Sequence, residues 1–256
     1  MTAGEGVAVR DIDIRFNGNS VNEVLEDEGF RFGVRNIEGE GLIARDPHTV
    51  DLPGDGSRWV DTRVGPRQIT IEYQAQAGKS PGHDAMEEQA RLEEVLQGVL
   101  FSDAPRPLRF SHQHGLFRGT LQALGKTQNH AHMHVGTMTF LCPDPFRYGD
   151  QETLEPDAEG VVNVLTNYYV EPVLTWETTE AVGSAWVAVD GRRLTIDTAV
   201  SAGQQIRVDA RRMETRVGGV LNVEDVRGRY PRLRPGSVLT TNTGGTISVS
   251  YERRWL

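Results

Sequence analysis

Gly136-Thr-Met-Thr-Phe-Leu-Cys-Pro-Asp-Pro-Phe-Arg-Tyr-Gly149 lies where the two halves of this 256-residue chain meet. His132–Cys142 is apolar and rich in strand formers, and it reads as a β-strand. Leu116–Leu124 reads as another, and Gly125–Asn129 between them marks a hairpin turn. Pro143-Asp144-Pro145 then stops the sheet, because proline has no amide hydrogen to give to a ladder. Gly149–Gly160 is acidic and poor in apolar residues. These signals set a domain boundary near residue 150, dividing the chain into 1–149 and 150–256.

Working toward the N-terminus, Leu108–Phe110, Gln68–Ala75, Trp59–Val64, Phe30–Ile37 and Val7–Phe16 read as strands. The last alternates apolar and polar residues as a half-buried strand should, and Asn17-Gly18 closes it with a turn. One stretch, Asp84–Leu100, reads as a helix. Leu92, Val95, Leu96, Val99 and Leu100 share one face, and Glu87 and Glu88 suit the positive end of its dipole. Ser80-Pro81 is its start signal, and Gly98 weakens its far end.

The second half reads as all-β. Its expected strands are Gly160–Asn167, Glu171–Glu177, Ser184–Val189, Arg193–Ile196, Gln205–Asp209, Glu214–Val217 and Gly245–Tyr251. Asp190-Gly191 is a hairpin turn signal. The expected fold is mainly β: two β-sandwich-type domains, the first with one α-helix and a long β-hairpin.

Composition excludes several functions. Counting Gly and leaving out Tyr, about 47% of the chain is apolar, as in ordinary globular proteins. No apolar run approaches the ~20 residues of a membrane helix, so no membrane insertion is expected. Residues 1–20 have no apolar core of the kind a secretory signal carries, so none is expected. Cys142 is the only cysteine, which rules out an intrachain disulfide. The net charge is −9, with −6 on residues 1–149 and −3 on 150–256. Neither half is basic, so specific nucleic-acid binding is not expected. All bases but Lys79 and Lys126 are arginine, which suits protein interfaces and equally reflects codon bias.

Histidine is the strongest chemical signal. His83, His112, His114, His130, His132 and His134 hold six of the seven. Alternate residues of a strand share a face ~7 Å apart, so paired imidazoles facing each other across the hairpin would suit a zinc ion. The plainer reading is a histidine-rich hairpin end with no ion. No HExxH, GxSxG, Walker or dinucleotide motif occurs, and Ser111-His112 is a mere adjacency. Cys142 reads as a buried small hydrophobe. The acidic pairs Glu87/Glu88 and Glu224/Asp225 read as solvated. The expectation is no enzyme, no catalytic residue, no cofactor and no structural metal. Trp176, Trp186, Tyr168, Tyr169 and Tyr230 would serve either a sugar-stacking surface or, more plainly, a sandwich core.

The boundary stretch resembles the "G-x-x-x-F-x-C-x-D-P-F-x-Y" end of the N-terminal domain of siphophage distal tail (Dit) proteins. Ile12-Asp-Ile-Arg-Phe-Asn-Gly18 looks like that family's first strand, and Leu108-Arg-Phe110 like its "L-x-F". In the second half, Ala188-Val-Asp-Gly-Arg-Arg-Leu194, Gln205-Ile-Arg-Val-Asp209 and Tyr230-Pro-Arg-Leu-Arg-Pro-Gly236 resemble motifs of a galectin-like sandwich. Ser237 stands where the family commonly has Asn.

The resemblance implies a non-catalytic hub of the virion, placed at the distal end of the tail and assembled in the host cytoplasm. It implies a homo-hexameric ring built by residues 1–149, joining the tail-tube ring to the tail-tip spike or tail-associated lysin. Residues 150–256 would point outward and anchor receptor-binding proteins. The genome would pass through the lumen without specific binding. Arg63 and Arg67 are expected to pair with a neighbour's carboxylates. Two other classes stay open: a carbohydrate-binding module at the host surface, and a metal-dependent enzyme built on the histidines. Sugar binding is expected to be weak or absent, since no galectin-type "H-x-N-P-R" string occurs.

Overall fold

The computed structural model describes residues 9–41, 45–77, 85–130, 133–222 and 224–256. Their contacts divide the chain after Arg147.

The first unit begins with β1 (Ile14–Phe16) and β2 (Asn19–Ser20), joined by Asn17-Gly18. Both turn residues have positive φ, 52° and 91°, as a two-residue hairpin requires. Then come α1 (Val21–Asp27), β3 (Phe30–Glu38), β4 (Arg45–Asp51), β5 (Ser57–Val64) and β6 (Arg67–Ala77). α2 (Ala85–Leu100), β7 (Arg106–Phe110), β8 (Leu116–His130) and β9 (Met133–Leu154) follow. The strands order as β3-β6-β9-β8-β7-β1-β2. Arg10 exchanges backbone hydrogen bonds with Val34 of β3, while β1 pairs with β7. The N-terminal segment thus ties both sides of the sheet.

β6 shows why the sheet has an inside. Arg67, Ile69, Ile71, Tyr73, Ala75 and Ala77 are buried in alternation with more exposed residues. Beneath them lie Phe16, Leu25, Phe117, Met138 and Phe140. From α2, Leu92, Leu96 and Leu100 enter the same core at i, i+4, i+8.

Several expectations are corrected. Among the described residues the first unit has two helices. α1 was invisible to periodicity because it buries only Val21 and Leu25, and its start is set by Ser20, whose side chain accepts the Glu23 amide. α2 ends at Leu100, as expected, with Gly98 inside its last turn. Of Val7–Phe16, β1 takes only Ile14–Phe16; residues 7 and 8, like the Ser80-Pro81 start signal, fall outside the described residues. Gly125–Asn129 is not a turn but part of β8, and its glycine serves close packing. A Cβ on the facing Gly136 would stand 2.9 Å from the Gly125 carbonyl oxygen. Pro143-Asp144-Pro145 does not end the strand. Pairing of β9 with β6 stops at Cys142, as the missing donors require, yet the proline backbone is compatible with extension and β9 continues to Leu154. Gly149–Gly160 therefore begins as strand, not linker.

The second unit takes the end of β9, then β10 (Val161–Val162), β11 (Val173–Glu177), β12 (Ala185–Val189), β13 (Arg192–Ile196), β14 (Gln205–Asp209) and β15 (Glu214–Val217). β16 (Val220–Asn222), β17 (Val226–Gly228), β18 (Ser237–Thr241) and β19 (Ser248–Trp255) complete it. One sheet orders β16-β15-β14-β11-β19-β9 and the other β10-β18-β12-β13-β17. Leu174, Ile206 and Val249 from the first meet Val187, Leu194 and Ile196 from the second in one core. Of the expected strand Gly160–Asn167, only Val161–Val162 pairs. β16 and β17 escaped the sequence reading because they are short and largely exposed; β18, which buries Ser237 and Leu239 in alternation, was missed as well. The molecule is mainly β, as expected.

Candidate assembly surfaces

The described histidines do not converge. His112 and His114 sit in the turn before β8, and His130 ends that strand 14 residues beyond its start. At ~3.3 Å per residue the two groups lie roughly 45 Å apart along β8. His112 Nε2 lies 3.2 Å from Glu40 Oε2, whereas His134 is buried on β9 opposite Ala75. His83, His132 and the side chain of His130 fall outside what is described. Among the described residues, no three His, Cys, Asp or Glu side chains gather as a metal site.

Arg67 is not a surface residue. It is 2% exposed, and its guanidinium reads three carbonyls. Nε donates to Pro145 O at 2.8 Å, and Nη1 donates to Gly39 O at 2.7 Å and Gly41 O at 2.8 Å. The cation also lies 5.1 Å from the centre of the Phe117 ring. Burial lowers its pKa from the usual arginine value. Arg67 thus joins the end of β3 to the Asp-Pro segment of β9, and is taken up inside the fold rather than offered to a neighbour. Arg63, by contrast, keeps its side chain 78% exposed, with Asp61 at 3.9 Å. Cys142 is fully buried, and its environment pushes the thiol pKa up to about 11.

β4 and β5 form a two-stranded sheet that pairs with no other described strand. Every residue of β4 is exposed, and Trp59 of β5 is 62% exposed. Val50, Leu52 and Val60 are exposed on the same arm. The indole N–H of Trp59 donates to Thr62 Oγ1 at 3.0 Å, and His48 Nδ1 lies 3.3 Å from Asp61. An isolated hairpin is marginal in water, and four large exposed apolar side chains make this arm a candidate contact surface. β4 was missed because Arg45–Asp51 has no alternation and contains Pro47.

In the second unit, the aromatic residues divide. Trp176 fills the core and its buried indole N–H donates to Thr243 Oγ1 at 2.8 Å. Trp186 is half-buried beneath Arg193, whose cation lies 4.1 Å from the ring centre. Tyr168 and Tyr169 pack at 4.4 Å, and Tyr230 reaches toward Thr215 at 3.4 Å. Glu224 and Asp225 are both exposed, and Asp225 accepts a hydrogen bond from Thr198 at 2.9 Å. Glu87 is exposed on α2, while Glu88 is buried at 6%, which corrects its reading as solvated.

No known family pattern and no curated protein matches the chain. Among solved structures, the fold is similar to that of the SPP1 Dit protein, described as a paradigm of the hub adsorption apparatus in phages infecting Gram-positive bacteria. The two are 16% identical, with a TM-score of 0.72 over 96% of this chain and 100% of the other. A chain of the phage P2 baseplate in its activated conformation with Ca aligns at a TM-score of 0.44 and 10% identity, covering 95% and 98%. Its counterpart with Sr aligns at 0.41 and 9%, covering 96% and 98%.

Proposed function

We propose that this chain is a non-catalytic structural hub of a siphophage tail tip, a distal tail protein of the virion. The observation that carries the reading is the likeness to the SPP1 hub protein from end to end, through both units. The order of motifs along the sequence supports it independently. In this reading residues 1–149 form a hexameric ring, and residues 150–256 are a galectin-like domain that holds receptor-binding parts. The ring joins the tail tube to the tail-tip spike or tail-associated lysin, and it assembles in the host cytoplasm.

The β4–β5 arm supports ring formation. A ring needs two different patches per subunit, one fitting the other on the next copy. An arm with Val50, Leu52, Trp59 and Val60 outward supplies one of them. A lasting contact of this kind buries well over ~1,000 Å². Arg63, exposed at the arm's end, remains a partner for a neighbour's carboxylate. Six N-terminal halves at −6 each bring −36 to the ring. Acid on the channel wall repels DNA phosphates, so the genome slides through without sticking.

Mass photometry of the full chain over a concentration series tests this. The expected species is six copies of a 28.4 kDa chain, about 170 kDa. A monomer that stays single at high micromolar concentration, alone and with a tail-tube ring, overturns it.

A further inference from the structure

The second unit contains a groove of about 670 Å³ between the β12–β13 turn, the β14–β15 turn and the segment Gly228–Arg234. Arg192, Arg229, Arg232 and Arg234 line it, together with Tyr169 and Tyr230. Two carboxylates also line it, and both are engaged. Asp190 Oδ2 accepts from Ser237 Oγ at 3.0 Å and its Oδ1 from the Val238 amide at 2.8 Å. Glu171 lies 3.5 Å from Arg232. The guanidiniums of Arg192, Arg229 and Arg234 are exposed and have no ion pair among the described residues.

The framework behind these side chains is fixed. Val170 and Leu233 exchange backbone hydrogen bonds at 2.9 Å, which sets Tyr169 beside Arg232 and Arg234. Arg232 and Arg254 both lie over the Tyr169 ring, 4.5 and 5.0 Å from its centre. On the other wall, Gly228 has φ +110 and a Cβ there would meet the Arg193 carbonyl at 2.2 Å. Only glycine lets β17 come this close to β13, and Arg229 follows directly.

We infer that this groove binds an anionic glycan, a sugar chain bearing phosphate or carboxylate groups. A guanidinium fork matches the paired oxygens of either anion, and Tyr230, half-buried in the lining, offers an aromatic surface for the C–H side of a sugar or polyol. The volume falls within the range of small-ligand sites and is too small for a duplex. The rest of the unit decides against a nucleic acid. Residues 150–256 carry −3 despite the four arginines, so the unit as a whole lacks the excess of base that a nucleic-acid surface uses. A strand charged at every nucleotide gains from a long basic track, whereas a glycan with spaced charges needs only the four arginines of the groove. The sequence reading looked for a galectin-type motif and expected little sugar binding. Here charge selects the ligand, so neutral sugars remain weak.

Calorimetry on the full chain tests the inference with four probes: a phosphorylated mannan oligosaccharide, oligogalacturonate, neutral dextran and a short oligothymidylate. The expected result is binding of one or both anionic glycans, with the stronger identifying phosphate or carboxylate as the natural anion. Affinity should fall steeply between about 50 and about 300 mM salt. Replacing Arg192, Arg229 and Arg234 together by Ser should weaken binding at least ~tenfold with the melting temperature held. Arg207→Ser with Arg227→Ser, which remove charge outside the groove, should change it less than about twofold. Equal binding of dextran, an unchanged affinity in the triple variant, silence of both anionic glycans at millimolar concentration, or tighter binding of oligothymidylate would each overturn it.

Discussion

Replacing Arg67 by alanine removes the one side chain that holds Gly39, Gly41 and Pro145 together. The three carbonyls accept at 2.7–2.8 Å. Hydrogen bonds to a charged donor contribute about 1.5–3 kcal/mol each, or roughly 4.5–9 in all. Against that stands the cost of burying a cation, several kcal/mol, which the alanine variant no longer bears. The variant leaves three acceptors without a donor and a cavity beside Phe117. The balance is a loss of about 3–5 kcal/mol. For a unit near 150 residues that corresponds to roughly 10 °C in melting temperature. Urea unfolding followed by circular dichroism measures it, with hydrogen exchange along β6 and β9 locating the loss. Arg67→Met, which fills the space but donates nothing, should recover less than half. An alanine variant within ~1 kcal/mol of the parent would refute the view that these bonds hold β3 to β9.

Burial raises the Cys142 thiol to about 11 and the Tyr73 hydroxyl to about 12. Their stabilising effect is complete below the unfolded values, ~8.5 and ~10, and is lost as the pH rises toward the folded ones. Stability should therefore decline above about pH 9, Cys142→Ala should remove the earlier part of the decline, and the native thiol should resist alkylation at about pH 8. Rapid labelling of the folded chain would contradict this. Ser20 Oγ accepts from the Glu23 amide at 3.1 Å and donates to Asp13 at 2.5 Å, so Ser20→Ala should cost ~1–2 kcal/mol in chemical denaturation. Trp59→Ser should leave unfolding unchanged, yet raise the concentration at which rings form at least ~tenfold in mass photometry.

Much of the fold was legible where local chemistry acts alone. Gln205–Asp209 and Glu214–Val217 are strands at the expected residues, and Asp190-Gly191 turns β12 into β13 with positive φ at both positions. α2 was legible because five apolar residues share its face. Legibility failed where meaning depends on a distant partner. Arg67 follows Gly65-Pro66 like any loop arginine, and only the return of β9 encloses it. The histidines are close in sequence, but a strand of 15 residues separates them. Of the groove arginines, Arg192, Arg232 and Arg234 belong to Ala188–Leu194 and Tyr230–Gly236, two segments that resemble sandwich motifs, and Arg229 directly precedes the second; only the fold brings them onto one concave surface. The arm was half seen, since Trp59–Val64 reads as a strand and its fully exposed partner does not.

Electron microscopy of the purified full chain, with six-fold averaging withheld until the symmetry is measured, tests the hub most directly. The account predicts rings of six subunits around an open channel, with Trp59 of each arm covered by the next copy and acid on the channel wall. A monomer or a closed two-fold dimer at high micromolar concentration, with no ring formed on a tail-tube template, would contradict it.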